Sequence, residues 1–252
     1  MENLSSYNAV LQEQPALTAA PYTWYPQTQV CYIKNKDFFF AAKGGYNNES
    51  HNHNDVGSFS LYVDETPVFI DAGVGTYTRQ TFSNERYNIW TMQSDYHNLP
   101  MINGMPQHFG AEYKAKDAQF DARKRSFSLN ISDAYTKDAA VKKWKRSYAL
   151  SDKNRLTISD EFQLSEAKDF NQLNFLTWAK PDTSQPGKVI LDKNGKRIEM
   201  KYDPSIFNVS IETVPQTDTR LSNVWGKEIY RLQLTAKQKS LKGKYLFTIN
   251  RF

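Results

Sequence analysis

Residues 57–73 read GSFSLYVDETPVFIDAG, two short apolar runs on either side of the turn Asp64-Glu65-Thr66. In the first run Phe59, Leu61 and Val63 alternate with Ser60 and Tyr62, the period of a half-buried strand. The second run, Pro67 to Ile70, is apolar throughout. Two such runs joined by a polar turn predict a β-hairpin. The stretch just before it, QVCYIKNKDFFFAAKGG (29–45), has the same form, with a turn at Asn35 and Lys36.

Strand signals continue outward from these hairpins, at 111–115, 127–131, 143–150, 155–163, 173–178, 188–191, 197–202, 207–212, 228–235 and 244–250. Short strands at roughly 8–12-residue spacing suggest a sandwich. Helical periodicity is scarce; residues 85–95 (ERYNIWTMQSD) are expected to make a turn or two of helix. The predicted fold is all-β: a large antiparallel two-sheet β-sandwich, supersandwich-like, forming a single domain over residues 29–252. Residues 1–28 are polar and punctuated by Pro15, Pro21 and Pro26, and read as a tail or linker. Gly, Asn and His concentrate before about residue 135, so the functional edge is expected in the first half.

Composition narrows the function classes. Aromatic residues make up 14% of the 252-residue chain, a mix suited to pleated surfaces and to rings offered to a ligand. A net charge of +5 and a pI near 9.0 favour an acidic partner: a nucleic acid, an anionic lipid surface or an acidic polysaccharide. The basic clusters Arg123–Arg125 and Lys142–Arg146 alternate with Phe, Tyr and Trp and read as the solvated face of a sheet. The lone cysteine, Cys31, excludes an internal disulfide and a zinc site built on several thiolates; it is expected to fill the core. No membrane span is expected, and the first residues lack the basic and apolar regions of a leader.

Chemistry concentrates in ESHNHNDVG (49–57), which holds two of the four histidines. In an extended segment His51 and His53 share a face and would aim at one centre, such as a metal. A zinc site needs further ligands, and Asp55, Asp71, His97 and, more remotely, His108 are the candidates. Asp71 ends the run Val68-Phe69-Ile70, where a carboxylate wants a partner. His97 lies in QSDYHNLP, ahead of a proline that keeps the chain extended.

The runs KGGYNNESHNHNDVGSFSLYVDETPVFIDAGVGTYT (43–78) and RYNIWTMQSDYHNLPMINGMPQ (86–107) resemble the heparinase II/III family of polysaccharide lyases, in the C-terminal β-sandwich part of that fold. The similarity is dense from about Phe38 to Gln107 and diffuse beyond. It implies that His51 faces the substrate cleft and takes part in acid/base chemistry. It implies a structural zinc held by His53, Asp71 and His97. The two histidines then need a bend near Asn52 to part them. The implied reaction is β-elimination at a uronic acid of an acidic polysaccharide. Tyr77, Arg86, Tyr87 and Tyr96 are candidates to touch substrate, as is Gln107; Asn48, Glu49, Asn52 and Asn54 are candidates either to hold the histidines in place or to line the cleft.

In the family, the tyrosine acid/base and the group that neutralises the uronate come from an N-terminal helical toroid. No such domain is read in this chain, which is expected to be the sandwich half of the lyase and inactive alone. The family's habitat implies a bacterial periplasm or cell surface. A second hypothesis is a non-catalytic carbohydrate-binding module, whose mark would be a flat row of exposed aromatics far from His51. No signature of a nucleic-acid binder is present.

Overall fold

The computed structural model describes residues 20–251. The expected hairpin forms as β5 (Phe59–Val63) and β6 (Thr66–Phe69). Its two turn residues, Asp64 and Glu65, both have positive φ, so Thr66 already pairs with Val63. That backbone matches the right-handed twist of the strands it joins. The preceding hairpin is β2 (Val30–Lys34) and β3 (Phe38–Lys43). Its turn is held by Asn35, whose side-chain oxygen accepts from the Asp37 and Phe38 amides.

One element precedes them. Tyr22–Tyr25 forms β1, paired antiparallel with β2. Part of the stretch read as a linker therefore belongs to the sheet, because Trp24 packs on Phe120 and Phe127 of the core. The rest of the expected tail, residues 1–19, lies outside the described residues.

The other strands are β4 (Tyr46–Asn47), β7 (Pro100–Met101), β8 (Gly110–Lys114), β9 (Lys116–Asp121), β10 (Ser126–Asn130), β11 (Val141–Ser151), β12 (Arg155–Leu164), β13 (Gln172–Thr177), β14 (Lys188–Lys193), β15 (Lys196–Lys201), β16 (Phe207–Pro215), β17 (Glu228–Ala236) and β18 (Lys242–Arg251). Nine strands form one antiparallel sheet, in the order β1-β2-β3-β5-β6-β13-β17-β16 with β7 beside β13. Seven form the second, β14-β15-β18-β12-β11-β10-β9, and β4 pairs with β8 at the edge. The inner faces meet through Phe40 and Phe59 against Tyr148, and through Phe175 and Phe207 against Phe247. Cys31 is completely buried in this core, as expected.

Helix is sparse. Where a turn or two of helix was expected at 85–95, the chain makes three short 3-10 turns, Asn84–Asn88, Trp90–Met92 and Ser94–Tyr96, separated by extended Ile89 and Gln93. β-branched and aromatic side chains there disfavour a continuous α-helix. Among the described residues, α1 (Thr219–Trp225) is the one α-helix, and it was not foreseen. Asp218 caps it through the Arg220 and Leu221 amides and also accepts from the Thr76 amide, tying α1 to the loop after Asp71.

The charge cluster at 142–146 divides by strand parity. Lys143 and Lys145 are exposed, whereas Trp144 and Arg146 point inward and are fully buried. Arg146 is thus no part of a solvated face.

Candidate metal centre and cleft histidine

After β4 the chain makes a turn over residues 48–51 and His51 takes a left-handed conformation, φ 59°. The shared-face expectation is thereby corrected: His51 is itself the bend, and it leaves its ring exposed while His53 turns inward. The next residues are pinned from several sides. Asn52 accepts at its carbonyl from Arg86 (2.8 Å) and at its side-chain oxygen from the Tyr87 hydroxyl (3.1 Å). Its amide group donates to the His53 carbonyl, and the Asn54 amide donates to the Met92 carbonyl.

Three segments then converge. His53, Asp71 and His97 bring one nitrogen or oxygen donor each to within 4.8 Å of one another. His53 Nδ1 lies 3.2 Å from His97 Nε2, and His97 Nε2 lies 3.5 Å from Asp71 Oδ2. His97 is 2% exposed and His53 7%, while the Asp71 side chain keeps 38% of its surface open. Two of the three ligands have outer support. His97 Nδ1 donates to the Gln93 carbonyl (2.9 Å), which leaves Nε2 as the inward donor, and Asp71 Oδ1 accepts from the Gly73 amide (2.7 Å).

The electrostatics follow from this packing. Burial opposes charge on His97, but the Asp71 carboxylate outweighs it and lifts the imidazole to about 9. Burial likewise works against the charge on Asp71, and His97 more than offsets it, holding the carboxyl well below its usual range. His53 is lowered by burial and then by the positive charge of His97. These directions favour a charged pair, an imidazolium at His97 facing an ionised Asp71, beside a neutral His53. Two imidazoles and a carboxylate, with second-sphere bonds in place and no thiolate, fit a borderline-soft divalent cation such as zinc.

The remaining candidates sort by contact. Glu49 and Asp55 share Lys43, at 3.4 and 2.8 Å, so Asp55 is an ion-pair partner rather than a ligand. Asn48 is exposed in the turn beside His51. Arg86 and Asn52 hold one another. Tyr96 gives its hydroxyl to Glu212 (3.2 Å) beneath the Arg231 guanidinium. Tyr77 is exposed, stacked on Phe82 and faced by Arg220. His108 stacks on Phe109. Gln107 is buried and joins Asn47 to both main-chain groups of Val56, which corrects its place as a cleft candidate.

Asn98 is a further residue of the site, one that no pattern in the sequence singles out. Completely buried, it donates to the Phe59 and Ile70 carbonyls and accepts from the Leu176 amide, locking the neighbours of Asp71 and His97 together. Its signal was its place beside a candidate ligand.

Comparison with known proteins bears on the fold and the family. Residues 18–240 match the family model described as heparinase II/III-like, C-terminal. The heparan sulfate lyase HepC of Pedobacter heparinus has a similar fold (TM-score 0.73, 15% identity), over 98% of this chain and 39% of that one. A heparinase III superposes with TM-score 0.72 at 16% identity, over 100% and 40%. A chondroitin AC lyase of Streptomyces coelicolor A3 is more distant, TM-score 0.50 at 8% identity, over 96% and 34%. The chain thus spans well under half the length of these lyases. No curated protein matches it. A family model matched along most of the chain, on the fold and motifs described above, places this protein in the heparinase II/III-like C-terminal family.

Proposed function

We propose that this chain is the β-sandwich half of a polysaccharide lyase that cleaves uronate-containing acidic polysaccharides by β-elimination. In that reaction a base takes the C5 proton, the bond from C4 to its oxygen breaks, the leaving oxygen receives a proton, and a C4–C5 double bond remains. His51 is the proposed acid/base group, because a neutral imidazole exchanges protons near neutral pH. The carrying observation is its placement: an exposed imidazole in a left-handed turn, two residues from a buried histidine of a ligand cluster.

His53, Asp71 and His97 are proposed to hold a structural zinc, which would add binding free energy to the folded state and fix the segment bearing His51. Asn48, Glu49, Asn52, Tyr77, Arg86 and Tyr96 are proposed around the cleft, Asn52 and Arg86 by fixing the turn. The acid partner and the donors that neutralise the uronate are proposed to come from outside this sandwich, from a helical toroid of the same protein. In support, Tyr87 and Tyr96 already give their hydroxyls to Asn52 and Glu212. Uronate polymers lie outside the cytoplasm, so a bacterial periplasm or cell surface is part of the proposal.

Assay of unsaturated uronate product tests it. The chain alone is expected to give none from heparan-type, alginate or hyaluronan polymers, and the whole protein is expected to lose product with His51→Ala. An unchanged rate in that variant would remove His51 from the chemistry.

A second reading, a glycan-binding module, is favoured by one observation. Tyr25, Tyr32, Phe39 and Tyr62 form a continuous row across β1, β2, β3 and β5, the first three 51, 37 and 41% exposed. A trough of about 250 Å³ joins Tyr32 to Asp71 over Ala41 and Ser60, so the row fails the remoteness that would set a module apart from a lyase cleft. Binding of uronate oligosaccharides that survives His51→Ala but not Tyr32→Ala would favour the module.

A further inference from the structure

Arg146 carries a charge in the middle of an apolar interface, with no exposed surface. Its counter-charge is Asp160, opposite it on β12, also fully buried: Nε stands 3.0 Å from Oδ1, and one terminal nitrogen donates to Oδ2 at 3.2 Å. Trp144 Nε1 donates to the same carboxylate at 2.7 Å. A buried ion pair seldom stabilises more than well-packed apolar side chains of the same volume, because both ions must be stripped of water. Stability alone is therefore a weak reason for a guanidinium here.

The other face of the guanidinium indicates its role. Its second terminal nitrogen crosses between the sheets and donates to the carbonyls of Asn98 (2.6 Å) and Gly57 (3.3 Å). Gly57 closes the segment that carries His53, and its carbonyl also accepts from the Tyr148 hydroxyl. Asn98 follows His97 directly, and its side chain donates to the carbonyl of Ile70, the residue before Asp71. One guanidinium and one amide thus tie together the main chain next to His97 and Asp71 and the end, four residues on, of the segment that carries His53.

We infer that Arg146 is the positioning residue of the His53–Asp71–His97 centre, holding the three ligand segments in register from the opposite sheet. The inference rests on the metal reading above. It requires arginine specifically, since the planar fork reaches Asp160 on one side and two carbonyls on the other, whereas a lysine ammonium is a point charge on a flexible stem.

The test compares wild type, Arg146→Lys and a core control remote from the centre, Phe247→Leu, each stripped of metal and titrated with cobalt(II). Melting temperature, cobalt affinity and the visible absorption band of bound cobalt are read for each. Arg146→Lys is expected to bind cobalt roughly tenfold or more weakly, with a shifted band. Phe247→Leu is expected to lose melting temperature while keeping both wild-type values. Wild-type affinity and band in Arg146→Lys would overturn the inference and leave the metal reading standing; absence of cobalt binding in wild type would overturn both. Should Arg146→Lys fail to fold, the double variant Arg146→Met, Asp160→Leu carries the same comparison, because it removes both buried charges together and, with them, the tie to the Asn98 and Gly57 carbonyls. A wild-type affinity and band there would be equally fatal.

Discussion

His53 Nδ1 faces His97 Nε2 at 3.2 Å, and both rings are almost closed to water. Two nitrogen lone pairs at that distance repel unless a proton or a cation lies between them. His97 has already committed its Nδ1 hydrogen to the Gln93 carbonyl, so a proton on Nε2 makes it an imidazolium. Asp71 steadies either kind of positive charge.

Removing a ligand should therefore cost more than a side-chain contact. His53→Ala and Asp71→Ala are expected to abolish metal binding and to lower the melting temperature by roughly 5–10 °C, the scale of about 2.7 kcal/mol of ligand stabilisation in a chain of this size. Calorimetry with and without chelator checks this: the chelator should shift wild type and leave both variants where they are.

His51→Ala should behave in the opposite way. The ring is exposed and outside the cluster, so stability should stay within about 0.5 kcal/mol and metal content should not change. On the proposed function, turnover by the whole protein should fall roughly 10²–10⁴-fold, the usual worth of a general acid or base. Parallel measurement of melting, metal content and product formation separates this residue from His53, two positions away.

Asn98→Ala leaves the Phe59 and Ile70 carbonyls and the Leu176 amide without their partner in a dry interior. At about 1–3 kcal/mol for each unsatisfied group, a loss of roughly 3–5 kcal/mol is expected. Urea unfolding should show a lower midpoint with an unchanged slope.

Cys31 gives a pH-dependent prediction. Burial pushes its thiol up to about 12 from an ordinary 9.0, with a smaller opposing effect from the Ala42 backbone. The folded chain keeps this proton between pH 9 and 12, whereas the unfolded chain releases it, so the contribution is intact below pH 9 and is lost as pH rises toward 12. The stability difference between wild type and Cys31→Ala should shrink across that window. A thiol reagent at pH 8 should label Cys31 only at the rate of unfolding; fast labelling of the native protein would contradict its burial.

The sequence was most legible where side chains alternate on their own strand. Phe59, Leu61 and Val63 announce β5, and the same period held the means to place Arg146, which shares its parity with Trp144 and Tyr148. Lys142, Lys143 and Lys145 around it nonetheless give the segment the pattern of a solvated face. Its partner Asp160 comes from the register of β11 on β12, which local sequence does not disclose. The ligand cluster is legible only through family resemblance, since His53, Asp71 and His97 become neighbours through the pairing of β5 with β6 and of β6 and β7 with β13. The direction of His51 was illegible for a simpler reason: nothing in ESHNHNDVG states that His51 itself takes the left-handed turn.

The centre is tested most directly by elemental analysis of the protein purified without added metal or chelator. About one zinc per chain is expected, retained on dialysis and lost in His53→Ala. Metal-free protein whose melting is unmoved by added zinc would contradict a structural metal at His53, Asp71 and His97.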